Sequence, residues 1–310
     1  MAELEALTVS APATSANLGP GFDCLAAALD LGNAVVITRR AGPLEVRVTG
    51  EGAGELAEDG TNLVCRALAS GLGPLDGLGV KCRNRIPLGR GLGSSSAAVC
   101  AGLVAANALG GLRWTPDELL ARATELEGHA DNAAACIAGG IVAVRPGPAW
   151  APVPVPEELA FVAVIPEART STDAARRALP PEVPLADAAA TLAHAVGLVL
   201  ALAEGRLDDL PQLLEDRLHE PHRAAAVPSI AALRGLVGRA GCLGATISGS
   251  GPTVLLWCRR DDADALAAEA ERALTAAGLP GRARPSRVSA AGVRARWTGG
   301  ADLSLARAVG

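Results

Sequence analysis

Residues 87–98 read Pro-Leu-Gly-Arg-Gly-Leu-Gly-Ser-Ser-Ser-Ala-Ala: three glycines at alternate positions, three serines, then very small residues. Glycine has no Cβ, so such a backbone can turn tightly and press against a ligand. Ser94, Ser95 and Ser96 stand where a helix would begin, and serine is a favoured N-cap. The unpaired N–H groups and positive dipole end of that helix would face the loop. Together these make an anion site, with polyphosphate the usual occupant. Pro87, Leu88, Gly89, Arg90, Gly91, Leu92, Gly93, Ser94, Ser95, Ser96 and Ala97 are therefore the candidate nucleotide cradle. The loop is not a Walker-type P-loop, whose lysine reaches the β/γ-phosphates. The single lysine here, Lys81, precedes the loop. A Rossmann fingerprint also fits poorly: the glycines are spaced G-x-G-x-G, and no acidic residue near Gly110 could hold a ribose. The competing reading is a glycine-rich turn ahead of a buried helix.

Other polar residues offer chemistry at a distance. Asn17 and Asp23 lie in a Gly/Pro-rich loop, within Pro12-Ala-Thr-Ser-Ala-Asn-Leu-Gly-Pro-Gly-Phe-Asp-Cys24. A carboxylate suits a substrate ammonium, and an amide can bond a hydroxyl or hold the loop. Asx-turn chemistry would explain both residues equally well. Arg176 and Arg223 could clamp one carboxylate between them, since guanidinium reads carboxylate bidentately. In a chain this rich in arginine, the alternative for each is a solvated charge. His219-x-x-His222 has a metal-like spacing, but Pro221 intervenes and no further ligands converge. Ile247-Ser-Gly-Ser-Gly-Pro252 is a glycine turn that could be a plain hairpin.

The elements that must position these residues are mixed. Short β-branched stretches at 7–10, 34–39, 44–49 and 78–83 predict strands. Helices are expected at 63–71, 94–109, 116–126 and 131–138, with Pro116 at a first turn followed by acidic residues. Five prolines within Pro146–Pro156 suggest a linker. Beyond it, strands at 159–165, 245–248, 253–257 and 284–289 alternate with helices at 185–203, 207–214, 229–240 and 261–277. At 310 residues the chain is long enough for two packed units. A net charge of -5 and 2% aromatic residues argue against a nucleic-acid partner. Seven scattered cysteines form neither a zinc motif nor a disulfide framework and are expected to be reduced. No signal peptide is evident, and apolar stretches are interrupted by Gly, Pro or charge, so no membrane partner and a cytoplasmic location are expected.

The stretch Pro12–Cys24, the loop Pro87–Ala98 and the turn Ile247–Pro252 resemble, in order and spacing, the three motifs of the GHMP kinases, which are small-molecule ATP phosphotransferases. The resemblance spans roughly residues 7–290 and implies an α+β, two-domain fold. Residues 1–150 would form a ribosomal-S5-like N-terminal domain and residues 157–290 a ferredoxin-like C-terminal domain, with 291–310 a tail. It implies ATP and Mg²⁺ in the cleft, and often a homodimer. Asn62, in Thr61-Asn62-Leu63, is a weaker nucleotide contact. Glu127-Gly-His-Ala-Asp-Asn132, Thr172-x-x-x-Arg176 and Glu220-Pro-His-Arg223 resemble more narrowly the members that phosphorylate the hydroxyl of L-homoserine, a step toward threonine. Ser95 and Glu127 would then hold the metal, and Mg²⁺ needs few protein ligands. Asn17, Asp23, His129, Thr172, Arg176, Arg223 and Gly249 would hold the substrate. Asn17, Asp23, Asp131 and Asn132 would surround the reacting hydroxyl. Ala130 departs from the family's usual proline, and Asp131 is read as chiefly structural rather than as a base. The alternatives are a mevalonate- or sugar-type kinase, or a non-catalytic nucleotide-binding regulator.

Overall fold

The computed structural model describes residues 6–147, 149–298 and 302–304. The strands are β1 (Ala6–Ala16), β2 (Leu25–Arg39), β3 (Glu45–Gly50), β4 (Leu78–Asn84), β5 (Ile141–Arg145), β6 (Ala149–Val153), β7 (Leu159–Pro166), β8 (Cys242–Ile247), β9 (Val254–Arg259), β10 (Gly281–Arg287), β11 (Arg294–Trp297) and β12 (Asp302–Ser304). The helices are α1 (Leu63–Leu72), α2 (Ser94–Gly110), α3 (Pro116–Glu127), α4 (Asp131–Ala138), α5 (Thr172–Arg177), α6 (Leu185–Ala203), α7 (Leu210–Leu213), α8 (Glu220–Arg223), α9 (Ser229–Arg234) and α10 (Ala263–Ala276).

They build two sheets. The first runs β12-β11-β1-β2-β4-β3, with β5 and β6 branching from the start of β2. On the edge away from β1, β2 is long enough to serve two partners: Leu25–Ala27 pair with β5, and Ala34–Arg39 pair with β4. The second sheet is ordered β10-β7-β9-β8, which in units of its own strands is 4-1-3-2, the arrangement of a ferredoxin-like split βαβ. The helix α2 is buried almost all round, because its small residues let neighbours approach. A Cβ on Gly102 would lie 2.5 Å from Val64 O, so α1 and α2 can pack this closely only through glycine.

Two stretches differ from expectation. Ala149–Val153, within the expected linker, is a strand paired only with β5. Proline is tolerated on such an edge, where its missing N–H breaks no ladder bond. Arg294–Trp297, within the expected tail, is a strand hydrogen-bonded along β1. Its short, arginine-rich sequence carries little periodicity, but Val293 and Ala295 are buried and close the first core on that side. The helix expected over 229–240 ends at Arg234, ahead of Gly235 and Gly238.

Candidate active site

The loop between β4 and α2 passes through Gly89, Gly91 and Gly93 with φ of 63°, 70° and 66°, a left-handed backbone that favours glycine. Two of the three are also steric requirements. A Cβ on Gly91 would stand 2.2 Å from Ser248 O, and one on Gly93 would stand 1.9 Å from Thr14 Oγ1. The loop is thus clamped between the end of β1 and the β8–β9 turn. Thr14 N donates to Leu92 O at 3.1 Å. Ser248 Oγ donates to Gly91 O at 2.6 Å and lies 2.8 Å from Ser15 Oγ, whose proton it then accepts. Gly249 N donates to Ala16 O at 3.0 Å. The three motifs, more than 230 residues apart at the extremes, meet within a few ångströms.

A cleft of about 550 Å³ opens over the loop. Asn62, residues 87–95, His129, Asn132, Thr172 and Gly249 all line it, with Leu56, Ala57, Leu63 and Val64 on an apolar wall. Several expected contacts are corrected. The serines do not cap α2: Gly93 is the N-cap, with no side-chain cap bond, and the serines occupy the first turn. Ser96 and Ala97 are buried and do not line the cleft: Ala97 packs into the core, and Ser96 turns its hydroxyl to Glu127. Arg90 spends its guanidinium on the carbonyls of Leu88, Pro166 and Glu167, tying the loop to the end of β7. Asn62 caps α1, accepting from Val64 N at 3.0 Å and donating to Ala57 O at 2.8 Å. Asn17, with φ 71°, donates to Gly249 O at 2.9 Å and accepts from Asp23 N at 3.1 Å, so its amide holds the loop.

Glu127, at the end of α3, lies against the start of α2. Its Oε2 accepts from Ser95 Oγ at 3.0 Å and from Ser96 Oγ at 2.5 Å. Beside it, Asp131 opens α4 and is buried; its Oδ1 accepts from Asn132 N at 2.7 Å and lies 3.4 Å from His129 Nδ1. That carboxylate raises the proton affinity of His129 above the ordinary value. Asn132 Oδ1 accepts from Thr14 Oγ1 at 2.7 Å, a partner that sequence reasoning missed.

Asp23, Arg176 and Arg223 do not line that cleft; they gather around the Phe22 ring, joined to the cleft through Gly249. The loop carrying Phe22 holds three non-glycine residues at positive φ, namely Asn17, Leu18 and Asp23, a concentration of strain of the kind found at functional sites. Arg223 and Arg176 lie over the Phe22 ring, with Cζ 5.4 and 6.0 Å from its centroid. Arg176 pairs bidentately with Asp23 at 3.0 and 3.1 Å, and this pairing raises the pKa of Arg176. The two residues expected to hold opposite ends of a substrate therefore hold each other. Thr172 Oγ1 is 3.5 Å from Ser250 Oγ, across the mouth from the third motif.

Arg223 is only 4% exposed, and burial lowers its pKa. Both hydrogens of its Nη1 are used, toward Gly249 O at 3.0 Å and His219 Nδ1 at 3.2 Å. Its Nε is buried with no hydrogen-bond partner. That Nε is one prong of the Nε–Nη2 edge with which a guanidinium can meet a carboxylate. His219, set aside in the sequence as a metal ligand, stacks on Phe22 with ring centroids 5.1 Å apart. The Glu-Pro-x-Arg spacing places Arg223 but gives no sign of what His219 does.

Residues 60–140 match the family described as GHMP kinases N terminal domain, and residues 198–276 match GHMP kinases C terminal. The chain is 40% identical to the homoserine kinase of Synechococcus over 92% of its own length and 96% of that protein. It is 43% identical to the homoserine kinase of Mycolicibacterium vanbaalenii, covering 80% of this chain and 83% of that one. The crystal structure of homoserine kinase from Cytophaga hutchinsonii superposes with a TM-score of 0.86 at 29% identity, covering 96% and 99% of the two chains. A mevalonate kinase structure shares the fold at 14% identity and a TM-score of 0.64.

Proposed function

The chain belongs to the homoserine kinases of the GHMP kinase family, and on that premise we propose how its cleft divides the work. It uses ATP to phosphorylate the side-chain hydroxyl of L-homoserine, giving O-phospho-L-homoserine and ADP. The backbone N–H groups of residues 88–95 receive the phosphates, and the apolar wall of Leu56, Ala57, Leu63 and Val64 receives the base. Mg²⁺ fits Ser95 and Glu127: a hydroxyl and a carboxylate already touch there, both are hard oxygen donors, and phosphate oxygens and water complete such a shell. When bound, the metal would offset charge on the phosphates.

One observation carries the substrate assignment. Asp23, Arg176 and Arg223 converge on one aromatic ring beside the phosphate loop. A zwitterion can part the Asp23–Arg176 pair without leaving either charge bare, its ammonium taking Asp23 and its carboxylate taking Arg176 and Arg223. A mono-anion such as mevalonate carries no ammonium to draw Asp23 away, so the Asp23–Arg176 pair would stay closed and only Arg223 would meet its carboxylate. The transferred group passes through a loose transition state that demands positioning and charge stabilisation more than a strong base. Asn17, Asp131 and Asn132 supply the positioning by fixing the loops around the reacting hydroxyl.

The same reading takes 1–150 and 157–290 as the two working halves, makes the enzyme a homodimer and places it in the cytoplasm. All seven cysteines are unpaired, as a reducing compartment would leave them.

Arg223→Leu tests the substrate reading. Losing a charge-assisted hydrogen bond, about 1.5–3 kcal/mol, should raise the homoserine KM roughly ten- to a hundredfold while the ATP KM stays near its original value. Equal losses for both substrates would make Arg223 a structural residue and overturn the carboxylate assignment.

A further inference from the structure

We infer that His219 is a positioning residue for substrate recognition: its Nδ1 lone pair holds the Arg223 guanidinium so that the Nε–Nη2 edge faces the substrate carboxylate. The inference rests on the reading that Arg223 binds that carboxylate, and adds the residue that aims it.

Hydrogen-bond bookkeeping fixes the state of the ring. Arginine has no acceptor, so the 3.2 Å contact between Arg223 Nη1 and His219 Nδ1 requires a lone pair on Nδ1. The proton then sits on Nε2, which lies 2.9 Å from Gly19 O and donates to it. Only the neutral Nε2–H tautomer satisfies both neighbours. A protonated ring would turn an N–H toward the guanidinium and add a like charge beside it. His219 is 0% exposed, and burial lowers its pKa, which favours the required form.

The groups facing the ring support the same assignment. Asp216 Oδ2 is 3.6 Å from Nε2, but that oxygen already accepts the backbone N–H groups of His219 and Glu220, each at 2.8 Å. Phe22 covers one ring face. Arg223 stands four residues on, on the same face of the turn. Asp23 lies farther out, paired with Arg176. A histidine that only filled space would need no acceptor aimed at a buried arginine whose Nε has no partner.

Three substitutions in the full chain separate aiming from packing. Asparagine places an oxygen where Nδ1 stands, glutamine places a donor where Nε2 stands, and leucine keeps only volume. H219L and H219Q should raise the homoserine KM about tenfold with the ATP KM unchanged, whereas H219N should keep it within about threefold. H219L combined with R223L should be no worse than R223L alone. Should H219L not fold, H219Q against H219N carries the comparison, with melting temperature as the check. In the unaltered enzyme the homoserine KM should rise only as pH falls below about 6.5, the ordinary histidine value that burial depresses, and the rise should be smaller in H219N. If R223L raises the homoserine KM but H219N and H219Q behave alike, or the double variant loses the full sum, His219 does not aim Arg223. If R223L leaves that KM unchanged, the carboxylate reading falls, and this inference falls with it.

Discussion

Asp131 shows what a single carboxylate can and cannot do at this site. It is buried at the first position of α4, and its Oδ1 is committed to Asn132 N and faces His129. A general base typically contributes 10²–10⁴ in rate, and a residue that only orients its helix contributes far less. Asparagine can replace the acceptor for the Asn132 N–H, so Asp131→Asn should keep kcat within roughly tenfold at saturating ATP and homoserine. A thousandfold fall in a folded variant with unchanged KM would make Asp131 the base. At this scale the sequence was informative about residue type and weaker about direction. Gly89 and Gly91 could be picked out by their spacing, and Ser95, Glu127 and Arg223 by the motifs that resemble the GHMP kinases. The direction of a side chain depends on partners far along the chain. The amide of Asn17 is taken by Gly249, the guanidinium of Arg90 by the end of β7, and Ser96 by Glu127. The role of His219 was hidden for the same reason: its ring partners lie at Gly19 and Arg223, and only one of them is local.

Elements were legible where their signals are local. Pro116 followed by acidic Asp117 and Glu118 marks the start of α3, where the structure adds a capping box of Thr115 and Glu118, and the run of small residues marks α2. β6 and β11 were not, since each is a short edge or closing strand defined by what it pairs with. The phosphate loop belongs to both worlds, because its glycines are visible and their reasons are tertiary. Gly89 and Gly91 have similar positive φ but different surroundings. A Cβ on Gly89 would touch only the Arg169 side chain at 3.5 Å, while one on Gly91 would strike Ser248 O at 2.2 Å. An L-residue in this conformation costs about 1–2 kcal/mol at either site. Gly91→Ala should therefore lower the melting temperature more than Gly89→Ala and weaken ATP binding further, since it must push the loop off the third motif. Thermal melts and nucleotide titrations of both variants decide this. Equal effects would mean that the contact between loop and turn does not shape the site.

At the scale of the whole molecule, an apolar helix face stands uncovered among the described residues. α6 turns Thr191, Leu198, Ala201 and Leu202 inward. On its other side Leu185, Leu192, Val196 and Leu200 are 85%, 66%, 53% and 49% exposed, spaced as one helical stripe. By length and composition the 19-residue helix could cross a membrane. Yet Thr191 Oγ1 accepts from Arg217 N at 3.0 Å, and His194 Nδ1 lies 2.9 Å from Glu215 O, so the helix is fastened into the fold. Contiguous apolar surface of this kind is costly to leave in water and commonly marks a contact. In the homodimer proposed above, this stripe is the surface a second copy would cover. Light scattering during gel filtration should then give twice the chain mass for the unaltered protein. Leu192→Glu together with Val196→Glu should give the single-chain mass, with little change in melting temperature measured below the dissociation concentration, since neither side chain belongs to the core. A single-chain mass for the unaltered protein at micromolar concentration would exclude the dimer. A dimer that survives both charges would move its interface elsewhere on the molecule.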